Sequence, residues 1–251
     1  MPANRLIFLS PHPDDAVLSC GGWIYQLAQN GERPIVVTIF SGDRSETAPL
    51  SDFARSLQVR WQLGDDAPAR RRDEDRAACD RLGCYLIHLP FADAVYRAAE
   101  NRPPIYETEE TIFGKVHEEE IVDRVTEALR PRVRRVSNAR LVIPLTAGLH
   151  VDHVITRLAA EQLTVESIYY EDYPYAEQPE RMTHVWRSTE WQADTIGLSE
   201  DALQAKIEAF LLHRSQISTF YRDDEEVALR LRAYAELVGQ GRAAERYWRQ
   251  L

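Results

Sequence analysis

Five short apolar runs, rich in β-branched residues, recur along a chain of 251 residues, with helical patterns filling the gaps between them. The runs span Arg5 to Ser10, 34–40, 85–89, 141–145 and 168–170. Each is apolar on consecutive residues rather than on alternate ones, which predicts strands covered on both faces, as in a parallel sheet. The intervening patterns predict helices over 15–30, closed by Asn30-Gly31, and over 68–82, opened by Pro68 and closed by Gly83. A third covers 118–130, where Ile121, Val122, Val125, Ala128 and Leu129 form a stripe at helical spacing and Pro131 follows. Ser199 reads as the N-cap of a helix running to about residue 214, and a further helix is expected over 225–237. This alternation predicts an α/β fold: a Rossmann-like, doubly wound, mostly parallel sheet with helices on both faces. No internal repeat or clean boundary breaks the chain, so residues 1–251 are expected to form a single domain. Its core would end near residue 176, and 177–251 would be a helical C-terminal extension wrapped around it. Segments 42–50 and 96–115 read as long loops of the kind that form lids or binding walls.

Open α/β sheets bind ligands beyond the C-terminal ends of their strands. There the chain places Ser10-Pro11-His12-Pro13-Asp14-Asp15, directly after the first apolar run. A helix cap needs one Asp and explains neither the second nor the histidine between two prolines. His12 and Asp15, three residues apart, can converge on one ion, while adjacent carboxylates must point differently. The natural division is one metal ligand and one base that holds a water. A dinucleotide site is excluded by the two negative charges and by the absence of G-x-G-x-x-G spacing; Gly21-Gly22 comes too late and reads as a close helix contact. The fourth run ends similarly, in Pro144-Leu145-Thr146-Ala147-Gly148, followed by His150-Val151-Asp152-His153. Taken together, the motifs supply two His and one Asp with an open position, the pattern of a catalytic rather than a structural metal site. Asp14 then remains as base, one His as a further proton donor, and Asp152 as a carboxylate that orients a His.

These two motifs, and the order of the strands, resemble the PIG-L/LmbE-like family of zinc-dependent N-deacetylases. The likeness covers residues 6–175 and departs from the common pattern in three places. Ser10-Pro11 precedes the first His where Ala is usual, and Val151 stands where Pro is common. Ala147-Gly148-Leu149 occupies the place where some members carry a Tyr that polarises the substrate carbonyl. The resemblance implies that His12, Asp15 and His153 hold Zn2+ or another divalent metal. It implies Asp14 as general base and His150 as acid or electrostatic stabiliser, with Asp152 supporting His150. Arg71 and Asp93 match the family's sugar-binding positions, although a surface Arg is an equally good reading of Arg71. The activity implied is removal of an N-acetyl group from a small N-acetylglucosamine-containing compound. Hydrolysis of another bond, or metal or sugar binding without catalysis, are the alternatives. His88 is expected to be a satisfied core histidine, and His117, His184 and His213 structural or exposed. The aromatic stretch Tyr169 to Tyr175 could stack on a sugar or simply pack.

Composition bounds the partners. Thirty basic against 40 acidic residues give a net charge of −10, which argues against nucleic acid or an anionic membrane surface. No run is long enough to cross a bilayer. A strand begins within five residues of the start, leaving no room for a signal peptide, and the three cysteines show no zinc-finger spacing. A cytoplasmic enzyme is expected, with a homo-oligomer left open.

Overall fold

The computed structural model describes residues 5–98 and 102–251, without the side chains of Glu119 and His184. Its strands are β1 (Arg5–Ser10), β2 (Ile35–Thr38), β3 (Tyr85–His88), β4 (Ala139–Pro144), β5 (Ser167–Tyr170), β6 (Trp191–Gly197) and β7 (Ala244–Gln250). Its α-helices are α1 (Asp15–Gln29), α2 (Asp52–Trp61), α3 (Ala67–Leu82), α4 (Glu109–Ile112), α5 (Glu119–Arg134), α6 (Val151–Glu161), α7 (Thr183–Trp186), α8 (Glu200–Leu211), α9 (Arg214–Phe220) and α10 (Asp224–Val238). One sheet runs β3-β2-β1-β4-β5-β7-β6. The first five of these strands are parallel. The order reverses at β1, so the ends of β1 and β4 flank the switch point where such sheets open a crevice.

The consecutive apolar residues have the expected cause. Leu6 and Phe8 of β1 pack under α1, α3, α8 and α10, while Ile7 and Leu9 pack under α5 and α6 on the opposite face. Gly22 on α1 allows the close approach expected of it: a Cβ there would lie 2.5 Å from Leu198 Cδ1.

The C-terminal third departs from the helical extension expected of it. Helices α8 to α10 are present, but β7 pairs antiparallel with β5 and β6 pairs with β7, so the extension also completes the sheet. Periodicity hides β7 because its charged residues are partnered. Buried Glu245 accepts from Lys206 Nζ at 2.8 Å and from the Gly22 amide at 2.9 Å. Two boundaries also differ. Helix α5 runs through Pro131 to Arg134, losing one amide donor rather than ending. Helix α2, in a stretch with no expected element, is capped by the Ser51 hydroxyl accepting from the Ala54 amide.

Candidate active site

His12, Asp14 and Asp15 lie at the turn from β1 into α1, and His150, Asp152 and His153 at the turn from β4 into α6. All six are buried. Neighbouring parallel strands carry both turns, so residues about 140 apart in sequence meet at one sheet edge.

Asp15 Oδ2 lies 3.2 Å from His12 Nδ1 and 3.2 Å from His153 Nε2. Each imidazole is held from behind by a carboxylate. His12 Nε2 lies 2.9 Å from Asp152 Oδ2, and His153 Nδ1 lies 2.5 Å from Asp172 Oδ1. A ring nitrogen that donates to a carboxylate leaves the other nitrogen free as a lone-pair donor. His12 Nδ1 and His153 Nε2 are those free nitrogens, and both face Asp15. His153 Nε2 is buried without a hydrogen-bond partner among the described residues, an orphan that a cation would satisfy. Burial should lower the His153 pKa, but Asp15 and Asp172 raise it to about 9, so carboxylates outweigh burial and the site attracts positive charge. Burial likewise opposes the charge on His12, yet Asp93, Asp15 and Asp152 raise its pKa well above the usual imidazole value. Against the upward pull of burial, His153 and His12 hold Asp15 well below the carboxylate range. The donor set and its orphaned atom therefore fit a divalent metal.

Two groups bring three ligand atoms within 4.8 Å of one another, His12 with His150 and His153, and His12 with Asp93 and Asp152; both share His12 with the set above, and the first also shares His153. Both contain donors already engaged, as Asp15 Oδ2 also is by the His12 amide at 2.8 Å. His150 Nδ1 accepts the Asp152 amide at 3.2 Å. Asp152 accepts from Arg97 Nη1 at 2.5 Å and from the Ala94 amide at 2.9 Å. Asp93 accepts from Arg71 Nη1 at 3.0 Å and from the Val95 amide at 3.2 Å.

Asp14, equally buried, differs from Asp15 in backbone, partners and the direction of its pKa shift. It occupies the N-cap position of α1 but makes no capping hydrogen bond, and its backbone is strained, with φ 127° and ψ −34°. Such a conformation in a non-glycine residue costs roughly 1–3 kcal/mol and persists where surrounding structure imposes it. It turns the Asp14 side chain away from that of Asp15 and toward Arg71, whose Nη2 lies 3.7 Å from Asp14 Oδ1. Burial, then the charge of Asp15, raise the Asp14 pKa well above the ordinary value. Strain gathers at the second turn too, where Thr146, Gly148 and Leu149 all have positive φ.

Several expectations change. Asp152 supports His12, not His150, because entry into α6 points its carboxylate back across the sheet edge while His150 caps the helix. Arg71 is buried, bonded to Asp93 and stacked over Trp61, so the surface reading fails. Both Arg71 and Asp93 line the cavity above the site, as a pair already joined to each other. His88 Nε2 donates to Asp75 Oδ2 at 2.9 Å while only partly buried, His117 is exposed and His213 is fully buried. The His184 side chain lies outside the described residues. Two residues escaped notice. Asp172 sits beyond the end of β5, where the strand-end rule could have found it beneath its aromatic neighbours. Arg97 binds Asp152 and Glu118 from the loop after β3, and only the folded chain brings it there.

A sheet edge whose donor set fits a divalent metal, with a strained carboxylate beside it, suits a hydrolytic α/β enzyme. Residues 7–164 match the family described as PIG-L, GlcNAc-PI de-N-acetylase. The chain belongs to that family and is an N-deacetylase. It is 29% identical to the 2'-N-acetylparomamine deacetylase of Niallia circulans over 206 residues, 74% of each chain. Among solved structures, a zinc-inhibited form of teicoplanin deacetylase superimposes with a TM-score of 0.84 at 28% identity, covering 98% of this chain and 97% of that one. The A40926 pseudoaglycone deacetylase does so with a TM-score of 0.78 at 26% identity, covering 99% and 97%. No helix among the described residues is long and apolar enough to cross a membrane.

Proposed function

We propose that the protein hydrolyses the N-acetyl amide of an N-acetylglucosamine-type amino sugar, with zinc held by His12, Asp15 and His153. The observation that carries this reading is the pair of back-anchored imidazoles aiming their free nitrogens at Asp15, with strained, uncapped Asp14 turned aside. The sugar is supported by relatives that are 2'-N-acetylparomamine deacetylases, and a metal-accepting site by a teicoplanin deacetylase known in a zinc-inhibited form. A divalent cation there supplies a Lewis acid that polarises the amide carbonyl and acidifies a water. Asp14 is the base: it takes the proton of the attacking water as the new C–O bond forms. It returns that proton to the nitrogen as the C–N bond breaks, releasing acetate and the free amine. Burial, and then the charge of His12, lower the His150 pKa far below the usual value, so its ring is neutral. Because Nδ1 accepts the Asp152 amide, the ring proton of His150 resides on Nε2. His150 also lines the cavity and can donate that hydrogen to the carbonyl oxygen as it gains charge. Arg71 and Asp93 flank the sugar.

Residues 1–251 act as one unit in this reading, since the seventh strand belongs to the same sheet as the first. A cytoplasmic setting suits the three free thiols. The test is acetate release from N-acetylglucosaminides by the purified chain, before and after chelation and with zinc restored. Turnover that survives complete metal removal would refute the proposal.

A further inference from the structure

The cavity over the site has a volume of about 620 Å³, more than one N-acetylhexosamine fills, and its outer half has a chemistry of its own. On one side α2 presents Phe53, Leu57 and Trp61, spaced one helical turn apart. Phe113, Tyr175 and Phe220 line the same cavity. Phe53, Phe113, Tyr175 and Phe220 are only half-buried, so they show ring surface to whatever enters. The wall is built before any ligand arrives: Trp61 Nε1 donates to Thr219 Oγ1 at 3.1 Å, and the Ser218 hydroxyl donates to the Arg60 carbonyl at 2.7 Å. Phe113 and Tyr175 meet edge to face at 5.5 Å, with the Arg181 guanidinium over both rings.

Charge at the mouth favours neither sign. Arg230 is paired with Glu177 and Arg71 with Asp93. Of the other lining charges outside the catalytic turn, Arg60 and Arg181 balance Glu109 and Glu110. A polycationic aminocyclitol would need an acidic excess at the mouth itself, whereas the excess in the lining is Asp14 and Asp15, at the catalytic turn. Uncompensated aromatic surface is what remains.

Resting on the deacetylase reading above, we infer that the substrate is an amino-sugar glycoside whose aglycone presents an apolar or aromatic face, which lies against the aromatic lining formed by Phe53, Phe113, Tyr175 and Phe220. A sugar without an aglycone would leave this surface wet, and a charged one would have to desolvate against it.

The probes are three N-acetylglucosaminides: methyl, 4-nitrophenyl, and one carrying a cationic aminocyclitol. Each is measured for acetate release and, independently, for binding through Trp61 fluorescence with a Trp61→Phe control. The expected result is kcat/KM at least about tenfold higher for the aryl than for the methyl glycoside, expressed in KM, with the aminocyclitol no better than methyl. Phe53→Ala and Phe220→Ala should collapse that ratio toward one; Phe53→Leu, which keeps apolar bulk, should retain most of it and guards against misfolding. Turnover with equal kcat/KM for all three, or a preference for the cationic glycoside, overturns the inference. Aryl-selective binding without acetate release from any probe overturns the deacetylase reading instead and leaves the aglycone assignment supported.

Discussion

Asp14 and Asp15 are adjacent, both buried, and shifted in opposite directions. Burial and its neighbour's charge push Asp14 up, whereas His153 and His12 hold Asp15 down against burial. Asp14→Asn removes the proposed base without touching the inward-facing nitrogens. It should bind one equivalent of zinc while losing about 10²–10⁴-fold in kcat; His153→Ala should lose the metal itself, measured by metal analysis after gel filtration. Asp172 acts through His153 and is a positioning residue, so Asp172→Asn should weaken zinc binding by about 10–100-fold in a competition titration. Unchanged affinity there would mean that the 2.5 Å contact does not tune the ligand. His213 carries a different prediction. Neither of its nitrogens has a partner among the described residues, and burial lowers its pKa from 6.5 to about 4. Below pH 6.5 the unfolded chain takes up a proton that the folded chain refuses until about 4. This stabilisation is complete above that window and is lost as pH falls through it, by up to about 3 kcal/mol. Urea unfolding between pH 7 and 4.5 should show a shallower pH slope for His213→Gln than for the parent; parallel slopes would exclude the assignment.

At the scale of elements, the site depends on where strands stop and how their exits touch. Beyond β2 and β3 the chain continues side by side, with the Gly42 amide donating to the Phe91 carbonyl at 2.8 Å, two residues before Asp93. A Cβ at Gly42 would lie 2.5 Å from the Pro90 carbonyl carbon, a backbone atom that cannot swing away. Gly42→Ala should therefore cost about 1–3 kcal/mol in thermal unfolding and raise KM, because the loop that carries Asp93 and Arg97 must shift. A variant with parental stability and KM would show that the two exits move independently. Strand ends were legible because parallel strands buried on both faces must be apolar at consecutive positions, a local pattern. Helix α2 and strand β7 were not. The first turns Phe53, Leu57 and Trp61 to the cavity and leaves Val59 exposed, so its apolar residues mark no single core face, and the second carries charges whose partners are remote in sequence.

For the whole molecule, the C-terminal third both closes the sheet and supplies one wall of the cavity, through α9 and Arg230 of α10. The buried Lys206–Glu245 pair ties α8 to β7. Lys206→Met would leave Glu245 with a buried charge and no cation, and should cost about 3–5 kcal/mol in chemical denaturation; a loss under about 1 kcal/mol would mean that water reaches the carboxylate. The amino-acid sequence by itself determined the fold class, the strand ends and the residue types gathered there, because periodicity and local turn chemistry are short-range properties. Which carboxylate backs which histidine was decided only by tertiary structure. So were the burial of Arg71, the recruitment of Asp172 and Arg97, and the aromatic wall. Those depend on distances between segments far apart in the chain, and on the strained backbone that turns Asp14 and Asp15 to different tasks.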